Sequence, residues 1–123
     1  MKKRLFLAFL GLISMGTLLS CGEPNDVRIS VLDSDDKYEF FAKFDVKKTR
    51  DIQNFINSQI APRKFAVGQD VAVTTTLSDN TEFELMESKG KVRIRLDKEK
   101  NSVASYKRIK KICEGIKKEI GKS

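Results

Sequence analysis

Hydrophobic and polar residues alternate along two early stretches of the chain. Val27, Ile29 and Val31 share one face against Arg28 and Ser30; Tyr38, Phe40, Ala42, Phe44 and Val46 share one face against Lys37, Glu39, Phe41, Lys43 and Asp45. A period of two predicts two strands. The intervening Asp33-Ser34-Asp35-Asp36 has turn composition. A four-residue loop there pairs Leu32 with Lys37 and Val31 with Tyr38, so both apolar sets meet on one side. The period then changes to 3.6 at Ile52, Phe55, Ile56 and Ile60, which predicts a short helix. Thr49 is its expected N-cap, Asp51 suits its first turn and Pro62 ends it. Residues 61–69 read as a loop from which Phe65 and Val67 reach the core.

Alternation returns at Val71, Val73, Thr75 and Leu77, and again at Phe83 and Leu85. Asp79-Asn80-Thr81 is the expected turn between them, placing Leu77 opposite Phe83. Lys89-Gly90 predicts a two-residue hairpin with glycine where positive φ is needed. That turn pairs Leu85 with Ile94, Phe83 with Leu96, and Glu84 with Arg95. A final helix is expected from Ser102 as cap, through Tyr106, Ile109, Cys113, Ile116 and Ile120, to Gly121. The predicted order is ββαβββα. Each strand has one apolar face and each helix one apolar stripe, which predicts an α+β domain: an antiparallel sheet with two helices packed on one face.

Composition removes several classes of function. The chain has 123 residues, no histidine, no tryptophan and two cysteines. The usual Cys/His metal centres lack their ligands and imidazole catalysis lacks its base. No metal, no cofactor and no enzymatic activity are therefore expected. Hydrophobic residues make up 40% and charged residues 33%, which suits one folded domain rather than disorder.

The N-terminal segment carries an address. Met1–Arg4 is basic, and Leu5–Leu19 holds no charge. At 1.5 Å per residue such a run reaches about 22 Å, short of the roughly 30 Å of a bilayer core. A basic start, a short apolar run and a small residue before the break describe a secretory signal peptide. Leu18-Leu19-Ser20-Cys21 resembles the lipobox of bacterial lipoproteins. The resemblance covers residues 1–21 alone. It implies cleavage between Ser20 and Cys21, diacylglyceryl attachment to the Cys21 thiol, and a home in the bacterial cell envelope. Gly22 stands where an aspartate would signal inner-membrane retention in some Gram-negative groups, so the outer membrane is favoured where a cell has one. The expected division is a signal peptide at 1–20, a lipidated cysteine and polar tether at 21–26, and one domain at 27–123.

Charge is uneven within the remainder. Residues 21–88 hold 8 basic and 13 acidic side chains, whereas residues 89–123 hold 13 and 4. Lys107, Lys111 and Lys118 centre a basic face on the last helix. The first expectation for them is a solvated face that keeps the domain soluble; the second is orientation at an anionic membrane. Nucleic acid is not an expected partner, because no stacking aromatics accompany the charges. Cys113 falls within the apolar stripe and is expected to be buried. The acids sit in turns or at outward strand positions, so no carboxylate pair with a raised pKa is expected. Phe41 and Met86 fall on the polar side of their strands, near Arg93, and form the candidate protein-binding face. These features lead to a lipid-anchored, non-enzymatic protein that binds a protein partner or helps assemble an envelope complex. The alternative is an inhibitor or immunity lipoprotein that blocks a toxin or lytic enzyme.

Overall fold

The computed structural model describes residues 26–122, so the segment expected to be a signal peptide, with Ser20 and Cys21, lies outside the described residues. The strands are β1 (Arg28–Asp33), β2 (Lys37–Lys43), β3 (Val71–Thr76), β4 (Glu82–Ser88) and β5 (Lys91–Asp97); the helices are α1 (Thr49–Ile60) and α2 (Val103–Gly121). The order is the expected ββαβββα. The five strands form one antiparallel sheet in the spatial order β1-β2-β5-β4-β3. This is the predicted α+β fold.

Strand alternation sends Tyr38, Phe40, Ala42, Phe83, Leu85, Val92, Ile94 and Leu96 to one side, where they meet Ile52, Ile56 and Ile60 of α1 and Ile109, Ile112, Cys113, Ile116 and Ile120 of α2. The opposite side of the sheet carries half-buried or exposed residues along every strand. The two helices also contact each other closely at one point. A Cβ at Gly115 would lie 2.3 Å from Phe55 Cζ, so the absent side chain is what seats the ring of α1 on α2.

The Lys89-Gly90 hairpin has the predicted register, with Leu85 opposite Ile94 and Glu84 opposite Arg95, and Gly90 at φ +70°. The other two hairpins keep the expected faces but shift by two residues. Asp33, not Val31, pairs with Tyr38, because the turn is three residues long and closes with the Ser34 amide donating to the Lys37 carbonyl at 2.9 Å. Thr75, not Leu77, pairs with Phe83. That loop is Ser78-Asp79-Asn80, with Asn80 in the left-handed region at φ 68° and Leu77 bonded to Thr81.

Helix ends differ too. Ser102 caps α2 as predicted, its Oγ accepting from the Ser105 amide at 3.0 Å. Thr49 is not an N-cap. It is the first residue of α1, following a 3-10 turn at Val46–Lys48 that Asp45 caps. Its hydroxyl donates to the Val46 carbonyl and accepts from the Gly90 amide, tying the helix start to the β4–β5 hairpin. The 3-10 turn also lifts Val46 out of the core to an exposed position. Gly121 is the last helical residue rather than a terminator beyond it. The end of α2 is instead held by Lys48, whose ammonium donates to the carbonyls of Glu119 at 3.3 Å, Ile120 at 2.9 Å and Lys122.

The edge strand β1 departs most from the pattern. Ile29 and Val31 lie on the helix side of the sheet but are 40% and 46% exposed. The helices sit over the inner strands, and among the described residues no element covers β1.

Candidate functional site

On the helix-free face, register aligns residues of all five strands into rows. One row runs Ser30, Phe41, Arg93, Met86, Ala72. Phe41 is half-buried and Met86 is 44% exposed. The Arg93 guanidinium carbon stands 5.4 Å from the centroid of the Phe41 ring, close enough for a cation–π contact. Thus strand parity puts Phe41, Met86 and Arg93 on one face, and the pairing of β5 with both β2 and β4 makes Arg93 the neighbour of the other two.

The surface falls away on either side of the Phe41–Arg93 pair. A depression of about 470 Å³ is lined by Phe41, Ala72, Met86, Lys91 and Arg93. A smaller one of about 210 Å³ is lined by Ser30, Leu32, Glu39, Phe41 and Arg93. The next row, Leu32, Glu39, Arg95, Glu84, Thr74, has alternating charge, and Arg95 pairs with Glu39 at 3.8 Å. Apolar side chains gathered about a central arginine and bordered by charged rows have the make-up of a protein-docking surface. Leu32 and Ala72 belong to it as well. Neither was singled out from sequence, because only the sheet order brings β1 and β3 residues into these rows.

The other candidates are placed elsewhere. Lys107, Lys111 and Lys118 are exposed along α2, on the opposite side of the molecule from the open sheet face, and enter no ion pair among the described residues. Cys113 is buried, and burial pushes its thiol up to about 12. A nucleophilic role does not fit that environment.

Two acids behave differently from the sequence expectation. Glu87 is not an outward acid. It continues the inward parity of Phe83 and Leu85, lies between Val71 and Val92, and is only 4% exposed. Burial alone pushes its carboxyl up to about 7. The parity was visible in the sequence. Asp33 belongs to a strand rather than a free turn, and accepts from Lys98 Nζ at 2.7 Å and the Tyr106 hydroxyl at 2.5 Å. These contacts hold its carboxyl below the ordinary range, the Lys98 hydrogen bond contributing most. The two acids stand at opposite ends of the sheet, so they cannot act on one substrate bond as a carboxylate pair. Among the described residues no cluster of three Cys, Asp or Glu side chains is placed to hold a metal, and no helix is long and apolar enough to cross a membrane.

In comparison with known proteins, the chain matches no family model, no curated protein and no solved structure.

Proposed function

We propose that this chain is a lipid-anchored, non-enzymatic protein of the bacterial cell envelope that docks a protein partner on its open sheet face. The lipobox-like Leu18–Cys21 supports the anchor. The observation that carries the docking role is the Ser30-Phe41-Arg93-Met86-Ala72 row, with Phe41, Met86 and Ala72 about a central arginine, on a five-stranded face that no helix covers among the described residues. Partner recognition would centre on Phe41 and Met86, with Arg93 stacked between them and the flanking depressions receiving partner side chains. The absence of histidine supports a role without acid–base turnover.

The test is crosslinking in cells, followed by recovery of the chain from the envelope fraction and mass spectrometry. One near-stoichiometric partner is expected, lost from a Phe41→Glu/Arg93→Glu variant whose far-ultraviolet circular dichroism matches the unsubstituted protein. A partner that persists undiminished in that variant would remove the open face from the reading. Turnover of peptidoglycan or an ester substrate by the purified chain would overturn the non-enzymatic assignment.

A further inference from the structure

Sheet register places cations together at one end of the molecule. Arg28, Lys43 and Lys91 lie directly opposite one another on β1, β2 and β5, all on the open face. Like charges in such a row repel, and neighbouring strands normally avoid it. Lys89 lies beside Lys91 in the β4–β5 turn, and Lys47 projects from the 3-10 turn after β2. Arg28 pairs with Asp26, but Lys43, Lys47, Lys89 and Lys91 form no ion pair among the described residues.

The end of α2 joins this group, since Lys48 ties the carbonyls of its last turn to the start of α1. The segments forming this end, residues 26–28, 43–51, 68–71, 87–91 and 117–122, hold ten basic and six acidic side chains, one of the six being the buried Glu87. The segments at the far end, residues 33–37, 60–64, 76–82 and 97–101, hold five basic and seven acidic. The domain is therefore polarised along its strands.

Three more features belong to the basic end. Val27 and Val46 are exposed there. A hollow of about 400 Å³ is lined by Val46, Lys47, Arg50, Lys89 and Asp70. The chain also enters the domain there, since Asp26 precedes β1 and stands five residues after Cys21. Five residues span at most about 17 Å.

We infer that this basic end is the face the domain sets on an anionic bilayer, with Arg28, Lys43, Lys47, Lys89 and Lys91 against lipid phosphates. The strands then stand roughly along the membrane normal. The open sheet face points sideways, free for a partner, and the acidic end points away from the lipid. The inference rests on the anchored reading above and adds an orientation to it. A tether reaching at most about 17 Å lets the lysines approach the surface closely enough to come within the range of roughly 8 Å over which an anionic headgroup layer acts at physiological salt. The choice of an anionic bilayer follows from the coincidence of three things at one end: five cations of which four enter no ion pair among the described residues, exposed valines and the point of attachment.

The α2 lysines define the competing orientation, with the domain lying flat on Lys107, Lys111 and Lys118. Two probes on that same helix separate the two. Ala104 and Gly121 are both exposed, and a side chain at Gly121 meets nothing within 4 Å. They stand about 25 Å apart along the helix axis. The full chain, purified from membranes and carrying a fluorophore at Ala104→Cys or at Gly121→Cys, is reconstituted into vesicles holding a headgroup quencher. Vesicles of phosphatidylcholine with phosphatidylglycerol are compared with phosphatidylcholine alone.

On anionic vesicles, quenching at residue 121 should exceed that at residue 104, because the first probe then lies at the headgroups and the second well away from them. The contrast should collapse on neutral vesicles and in a Lys47→Glu/Lys89→Glu/Lys91→Glu variant, and survive in Lys107→Glu/Lys111→Glu, whose lysines lie outside the basic end. Equal quenching at both positions on anionic vesicles overturns the inference in favour of the flat orientation. An undiminished contrast on neutral vesicles overturns it in favour of orientation by the tether alone. If the triple variant fails to fold, the two vesicle compositions decide the matter with the unsubstituted lysines. The anchored reading is judged separately by the mass of the N-terminal peptide. An unmodified Cys21 would end that reading, whatever contrast the vesicles give.

Discussion

The Tyr106 hydroxyl donates to Asp33 Oδ2 at 2.5 Å, joining the last helix to the end of the edge strand across 73 positions of sequence. Lys98 completes the arrangement. Its ammonium donates to Asp33 Oδ1 and stands 4.4 Å from the centroid of the Tyr106 ring. This is the polar anchor of β1, a strand whose apolar side chains stay exposed. The carboxyl of Asp33 is held below its ordinary value of 3.8 by the Lys98 hydrogen bond first and the Tyr106 bond second. The linked stability is present above that ordinary value and is lost as pH falls through the depressed one. Tyr106→Phe should therefore lower the melting temperature at neutral pH. The difference from the unsubstituted protein should shrink to nothing as Asp33 is protonated. Thermal melts of both proteins from pH 7 down to pH 2 check this; a gap that persists at the acid limit would show that packing, not the carboxylate, is responsible.

Glu87 should act in the opposite direction. Its carboxyl rises from 4.5 to about 7 because it is buried without a compensating cation. The folded state therefore prefers the protonated acid. Its penalty is absent below pH 4.5, grows as pH rises toward 7 and is complete above that, on the order of 3 kcal/mol. Glu87→Gln should match the unsubstituted protein near pH 4 and exceed it at pH 8. Urea unfolding at the two pH values measures the difference, and equal stabilities at pH 8 would count against a desolvated carboxylate.

Gly115 matters for what it lacks. Gly115→Ala should gain up to about 1 kcal/mol of helix propensity and lose about 1–3 kcal/mol to overpacking against Phe55, for a net destabilisation. Removing the ring should reverse the sign, so that Gly115→Ala stabilises a Phe55→Ala background. A double-mutant cycle by denaturant unfolding reads this coupling, and additive effects would mean that the two residues do not press on each other.

Lys48 secures the final turn of α2 through backbone carbonyls rather than a carboxylate. Lys48→Met keeps the aliphatic stem and removes the donors. A loss of about 1–2 kcal/mol is expected. Amide exchange should quicken selectively in residues 117–122, while the first turns of α2 keep their protection. Uniform exchange along the helix would show that the contact does not act locally.

Much of this protein could be read from its sequence, because side-chain periodicity is a local property. The strand faces, both helices, the Ser102 cap and the Lys89-Gly90 register follow from residues within a few positions of one another. That Phe41, Met86 and Arg93 take one face was also legible, since parity fixes which face a residue takes once the strand is known. Loop closure was less legible. Whether Asp33 ends a strand or opens a turn depends on Lys98 and Tyr106, which lie more than sixty residues away. The capping of α2 by Lys48 and the need for glycine at 115 likewise arise only where distant segments meet. Sheet order β1-β2-β5-β4-β3 decided the largest matters: which strand is left uncovered, which five residues form the open row, and where the cations of β1, β2 and β5 converge. The period of a strand determines its faces; only the hydrogen-bonded partners it finds across the sheet decide what those faces become.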